Sequence, residues 1–123
     1  FRFGAGDTVL NIDGGTQTYK GEAKFIPSGN GSIKASVKKG KQTFEQPATF
    51  GGNFEYIIED SGVADQFAEL LFEEMIFSGD NNGKFEFGGA NNKITAKSLD
   101  LDGQNTFDMK GGTAVFNGPI TMD

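Results

Sequence analysis

Residues 17–25 read QTYKGEAKF, and this stretch gives the clearest indication of fold in the chain. Its residues fall into two alternating sets: Gln17, Tyr19, Gly21, Ala23 and Phe25 alternate with Thr18, Lys20, Glu22 and Lys24. Successive side chains of a β-strand point to opposite faces, so this alternation predicts a strand with one buried face and one solvated face.

The following segment repeats the pattern after a turn. Residues 27–31, PSGNG, have the composition of a turn, and Ile33, Ala35 and Val37 then alternate with polar residues. Two such strands joined by a short glycine-containing connection are typical of a hairpin. We expect 17–25 and 33–38 to pair as antiparallel strands.

Shorter strand patterns recur along the rest of the chain. They occupy 7–12, 44–50, 54–59, 85–87, 94–101, 106–110, 113–116 and 119–122. Within 94–101 the apolar positions change phase after Ala96, which predicts a bulge near Lys97 or Ser98 that turns the strand.

The spacing of apolar residues changes after Ser61. They then recur at helical intervals, at Val63, Phe67, Leu70, Leu71 and Met75. Acidic residues take the opposite side, and Ser61 is a suitable N-cap. The pattern predicts one amphipathic helix near 62–77 that covers the core.

Short strands separated by glycine- and asparagine-rich turns, with one helix, indicate a mainly β fold. We expect a single domain over 1–123, an antiparallel β-sandwich or barrel of about 8–9 short strands with Greek-key or jelly-roll-like connections. Residues 1–6 precede the first strand and could form a free N-terminal arm. Paired glycines recur at 14–15, 51–52, 88–89 and 111–112, but the segments between them do not align, so no repeat architecture is predicted.

The composition argues against catalysis. The chain has no histidine, cysteine or tryptophan, so it has no imidazole proton shuttle, no thiolate nucleophile and no soft metal ligand. It contains no phosphate-binding glycine motif between a strand and a helix. We predict no catalytic or cofactor-binding residue. The enzyme that this composition still allows is a hydrolase that uses only carboxylates.

Two weaker site signals remain. Calcium could bind the oxygen-bearing residues Asp100, Asp102, Asn105 and Asp108, which lie within nine positions but lack the spacing of an EF-hand. The tripeptide Asn30-Gly31-Ser32 matches a glycosylation sequon at a turn, which makes Asn30 a candidate acceptor.

Charge is unevenly distributed along the chain. The net charge of −6 argues against a nucleic-acid partner. Residues 20–41 carry six lysines and one glutamate, whereas 42–83 contain no lysine or arginine and nine acidic residues. Neighbouring strands could pair these opposite charges, or complementary ends could attract copies of the molecule head to tail. No apolar run is long enough to span a membrane.

These observations favour a non-catalytic structural protein of an extracellular, surface or virion assembly. We expect the chain to associate with copies of itself, with Phe1 and Phe3 of the arm as anchors and with exposed strand edges as acceptors. The alternative is a small β-barrel carrier, in which the thirteen phenylalanines surround an apolar ligand and the helix forms a lid.

Overall fold

Consecutive segments of the chain pair in parallel, turn upon turn. In the computed structural model they form a β-solenoid of about four turns, and the described residues, 4, 6–63, 65–78, 83–102 and 105–122, contain no helix. The eleven strands are β1 (Asp7–Tyr19), β2 (Ala23–Phe25), β3 (Ser32–Phe44), β4 (Ala48–Gly51), β5 (Phe54–Ile58), β6 (Ala68–Ser78), β7 (Lys84–Phe87), β8 (Lys93–Leu101), β9 (Thr106–Met109), β10 (Thr113–Phe116) and β11 (Ile120–Met122).

The strands stack in three columns, which we call faces A, B and C. Face A consists of the first half of β1, the first half of β3, then β5, β7 and β9. Face B consists of the second halves of β1 and β3, the first halves of β6 and β8, and β10. Face C consists of β2, β4, the second halves of β6 and β8, and β11. Each turn of the chain visits A, B and C in that order.

The turns are unequal in length. The register pairs Asp7 with Ser32, Ile33 with Phe54, Glu55 with Lys84, and Lys84 with Thr106, so the four turns take 25, 21, 29 and 22 residues. The longest turn contains the corner segment between β5 and β6. The paired glycines at 14–15, 88–89 and 111–112 lie between faces A and B, whereas the pair at 51–52 lies between faces C and A, so the segments between the pairs do not correspond and do not align.

The predicted antiparallel sandwich or barrel is therefore wrong. The segments at 17–25 and 33–38 do not form a hairpin: Gln17 pairs in parallel with Gln42, and Ile33 pairs in parallel with Phe54. Alternation reports that one face of a strand is buried, but it carries no information on the direction of the neighbouring strand.

The predicted helix near 62–77 is also wrong, since most of this range belongs to β6. Ala68, Leu70 and Phe72 point inward with the period of a strand. The strand then turns from face B to face C, and Met75 is the next buried residue. The three-residue step from Phe72 to Met75 gives the apolar residues a spacing that resembles a helix.

Stacked rings fill the interior. Residues in register on consecutive turns bring their rings together at centroid distances of 4.4–5.3 Å, which forms one ladder on each face. The ladders are Tyr56–Phe85–Phe107 on face A, Tyr19–Phe44–Phe72 on face B and Phe25–Phe50–Phe77 on face C. They pack edge to face on one another, as Phe50 does on Tyr56 at 79°. These stacked rings thus form the core of the solenoid.

Glycine allows the corner between faces A and B to turn tightly. Gly40 has a φ of 103°, and a Cβ at this position would lie 2.8 Å from the backbone of Gly14 and of Gly15 in the turn before it. Because the backbones of successive corners lie on one another, a side chain at Gly40 would separate the two turns.

Candidate functional site

The described residues hold no cluster of three or more carboxylates that could bind a metal ion. The calcium candidates are divided between faces: Asp100 pairs with Ile76 in the register of face C, and Asp108 pairs with Glu86 in that of face A. Asp102 follows the end of β8, where its amide donates to the carbonyl of Phe77 at 3.0 Å.

The side chain of Asn105 has a structural role at the corner between faces C and A. It is buried, and its Oδ1 accepts from the amide of Gly83 at 3.2 Å. Its Nδ2 donates to the carbonyls of Ser78 and Asp102, at 3.3 and 2.8 Å. The side-chain amide therefore joins two successive corners, and Asn92 joins Gly88 to Ala68 in a similar way.

The predicted glycosylation site lies on an exposed corner. Asn30 is solvent-exposed in the turn between β2 and β3, where the amide of Gly31 donates to the carbonyl of Ser28 at 3.0 Å. It borders a groove with the glycine pair at 51–52. Modification of Asn30 remains a prediction.

Charged residues stabilise the stack from outside. Lys34 is in register with Glu55, Lys41 Nζ lies 3.7 Å from Glu69, and Lys97 Nζ lies 2.9 Å from Glu73. Lys34 and Lys41 of the basic segment thus lie on the turn next to Glu55 and Glu69 of the acidic segment, whereas Lys97 belongs to neither segment. The contact of Lys41 with Glu69 agrees with the first of the two interpretations of the charge distribution.

Glu86 accepts from two lysines on face A. Lys110 lies 2.6 Å and Lys84 3.2 Å from its Oε1. The hydrogen bonds from Lys110 and Lys84 lower the pKa of the Glu86 carboxyl. A carboxyl that acts as a general acid requires the opposite shift, and the two lysines hold Glu86 as a carboxylate that joins β7 to the segment after β9.

A polar pair lies within the core. The Tyr56 hydroxyl donates to Oε1 of Gln42 at 2.7 Å, and both side chains are buried. Gln42 Nε2 lies 3.5 Å from the hydroxyl of Tyr19. Burial raises the pKa of Tyr56, to which the proximity of Tyr19 adds. The neutral pair orders the interior and has no access to substrate.

The first turn presents a long strand edge. Among the described residues β1 pairs with β3 alone. The amide of Ser32 donates to the carbonyl of Gly6, so the backbone alternation along the regular register of 7–12 directs the polar groups of Val9 and Asn11 to the other side. Leu10 and Ile12 point inward but are only partly buried.

The last turn presents three edges, those of β9, β10 and β11. Within the described ranges, each pairs only with the turn before it. Phe107 and Phe116 point inward and are partly buried, and Met109, Ile120 and Met122 are 40%, 54% and 72% exposed. The interior of the solenoid is therefore accessible at this end.

Most of the exposed apolar side chains belong to the first and last turns, although those of Val9 and Val115 point outward from the side faces. The described residues expose eight large hydrophobic side chains: Val9, Ile26, Val63, Phe67, Met109, Val115, Ile120 and Met122. Six of them belong to the first or the last turn, and Val63 and Phe67 belong to the corner segment before β6. We take the two end surfaces, the edge of β1 and the edges of β9–β11, as the candidate functional site.

Phe1 and Phe3, the predicted anchors of self-association, lie outside the described residues. Within the predicted arm, the carbonyls of Gly4 and Gly6 accept hydrogen bonds from the amides of Ser28 and Ser32, at 3.2 and 3.3 Å. Sequence reasoning did anticipate exposed strand edges. It could not assign them to particular strands, because that requires knowing which turn lies on which.

No family model, curated protein or solved structure matches this chain. Among the described residues there is also no helix with the length and apolar character needed to cross a membrane.

Proposed function

We propose that the protein is a non-catalytic structural module that associates with copies of itself through the ends of its solenoid. One observation carries this proposal: within the described residues both ends combine unpaired strand edges with accessible apolar interior. Solenoids that remain monomeric cover their terminal turns with polar caps, and open strand edges bind further strands.

The filled interior favours this function over that of a carrier. The carrier hypothesis depended on a barrel around an apolar ligand, whereas stacked and edge-to-face rings occupy the space between the three faces. The hydrolase hypothesis has less support, because hydrogen bonds from Lys110 and Lys84 lower the pKa of the Glu86 carboxyl, whereas a general acid needs a raised pKa.

The setting that we propose is an extracellular or surface assembly. The chain has no disulfide, and parallel β-sheet hydrogen bonds together with ring stacking supply its cohesion.

Light scattering coupled to size exclusion tests this function. We expect the mean particle mass of the wild-type protein to rise with protein concentration. Met109→Lys places a charge at the accessible end and should shift the rise to at least ten-fold higher concentration, a loss of about 1.4 kcal/mol in association free energy.

Val63→Lys is the matched control. Val63 is 46% exposed, close to the 40% of Met109, but it lies in a corner segment far along the chain from either end strand. The control should associate like the wild type. A wild-type mass that remains that of one chain at every concentration would refute the proposed function.

A further inference from the structure

We infer that the copies stack head to tail, with the last turn of one molecule on the first turn of the next and each face continued in register. This inference rests on the proposed function and adds the direction of assembly, the register and the residues in contact. Face A of one copy would continue on face A of the next, and face B on face B.

Hydrogen-bond polarity supports this register on face A. The amides of Thr106 and Lys110 donate to the turn before them, so the polar backbone groups of Phe107 and Met109 face the open side. On β1, the backbone amides and carbonyls of Val9 and Asn11 face the open side. With Phe107 opposite Leu10, the amide of Phe107 meets the carbonyl of Val9, and its carbonyl meets the amide of Asn11.

The same condition is met on face B. The amides of Thr113 and Asn117 donate to the carbonyls of Asn92 and Ala96 in the turn before, so Ala114 directs its backbone groups outward from the last turn. The amide of Glu45 donates to the carbonyl of Tyr19, so alternation directs the backbone groups of Thr18 to the open side of the first turn. When Ala114 of one copy lies opposite Gln17 of the next, each backbone amide of this segment that faces the contact meets a backbone carbonyl.

Side chains agree with this register. Inside the stack, Phe107 would lie on Leu10 and Met109 on Ile12, which covers apolar groups that are accessible in one molecule. The buried Oε1 of Gln17, which has no hydrogen-bond partner within the described residues, would lie in the contact.

The positions of the charged side chains also fit the head-to-tail register. The stack places Lys110, which already binds Glu86 at 2.6 Å, beside a second carboxylate, that of Asp13, and it places Thr113 on Thr16. A two-fold, head-to-head pair centred on Leu10 would instead bring Asp7 of one copy beside Asp13 of the other. Head-to-tail contact is heterologous, and along a solenoid axis it does not close, so it gives an open filament.

Cysteine cross-linking tests the register, because the chain has no cysteine of its own. The variant Thr16→Cys/Thr113→Cys carries two exposed substitutions on face B. Within one molecule they are separated by four turns, about 19 Å at 4.8 Å per turn, which is too far for a disulfide. Between stacked copies they would be neighbours at about 4.8 Å.

We expect oxidation of this double variant to give a ladder of disulfide-linked multimers on a non-reducing gel. Either single variant alone should give no ladder. The control Thr16→Cys/Thr121→Cys, which joins face B to face C, should also give none. Dimers from Thr16→Cys alone would indicate head-to-head contact and overturn the inference.

Light scattering on the same samples separates the two claims. A mass that rises with concentration, without a ladder from the first double variant, would refute the register and leave the proposed function standing. A mass of one chain throughout, also without a ladder, would refute both.

Discussion

The buried pair of Gln42 and Tyr56 allows a quantitative test of the core. Tyr56→Phe removes the hydroxyl that donates to Gln42 Oε1 at 2.7 Å, in a site where the two residues are 0% and 1% exposed. A buried acceptor that loses its donor costs about 1–3 kcal/mol. Gln42→Leu leaves the tyrosine hydroxyl unpaired, and we expect a loss in the same range.

The double variant should lose much less than the two single variants together. Leucine at position 42 would be in register with Leu70, and no unpaired group of the pair would remain. We expect a coupling free energy of about 1–3 kcal/mol, measured by urea unfolding followed by circular dichroism, with equal slopes for all variants. Additive losses in the double variant would show that the hydrogen bond is absent and that the register of faces A and B is incorrect.

Three further changes test other parts of the structure. Gly83→Ala should lower the unfolding midpoint strongly, because its Cβ would overlap the ring of Phe54, whereas Gly21→Ala, with no atom within 4 Å, should not. Equal midpoints would contradict the packing at this corner. The lowered pKa of the Glu86 carboxyl stabilises the fold fully above pH 4.5, and this contribution should disappear as the pH falls through the lowered value. If the urea midpoint of Glu86→Gln equals that of the wild type at every acid pH, the prediction is refuted. The raised pKa of Tyr56 means that stability is lost as the pH rises above 10.0, so tyrosinate absorbance should appear together with loss of the β-sheet signal; ionisation of both tyrosines in the folded protein near pH 10 would contradict the burial.

Local pattern was sufficient to find many strands. The alternation at 33–37 correctly indicated a strand, and it correctly placed Ile33, Ala35 and Val37 on the buried side. Both inferences depend only on which side of a strand is apolar, and that information lies within a few consecutive residues.

The same signal was interpreted in two ways at two corners. After Ala96 the phase of the apolar residues changes, and a bend in the strand was expected there; the structure turns β8 from face B to face C at this point. After Phe72 an equivalent change of phase was interpreted as helical spacing. The pairing of Phe72 with Ala96, which makes the two bends equivalent, is a contact between turns and cannot be read from either segment alone.

For a related reason, the direction of neighbouring strands and the identity of the end surfaces could not be predicted from the sequence. The choice between antiparallel neighbours and parallel turns depends on contacts about 21–29 residues apart, and the turns differ too much in length to give an evident repeat. Only the order of the stacked strands identifies β1, β2 and β9–β11 as the strands with open edges in the described chain.

Small-angle X-ray scattering over a concentration series tests the end-to-end assembly most directly. Five stacked strands on each face, at about 4.8 Å per layer, give each copy a length of about 24 Å along the axis. We expect the particle to lengthen in steps of this size as concentration rises, while the radius of gyration of its cross-section stays constant. A particle that keeps one length at all concentrations, or that grows in cross-section instead, would contradict assembly through the ends of the solenoid.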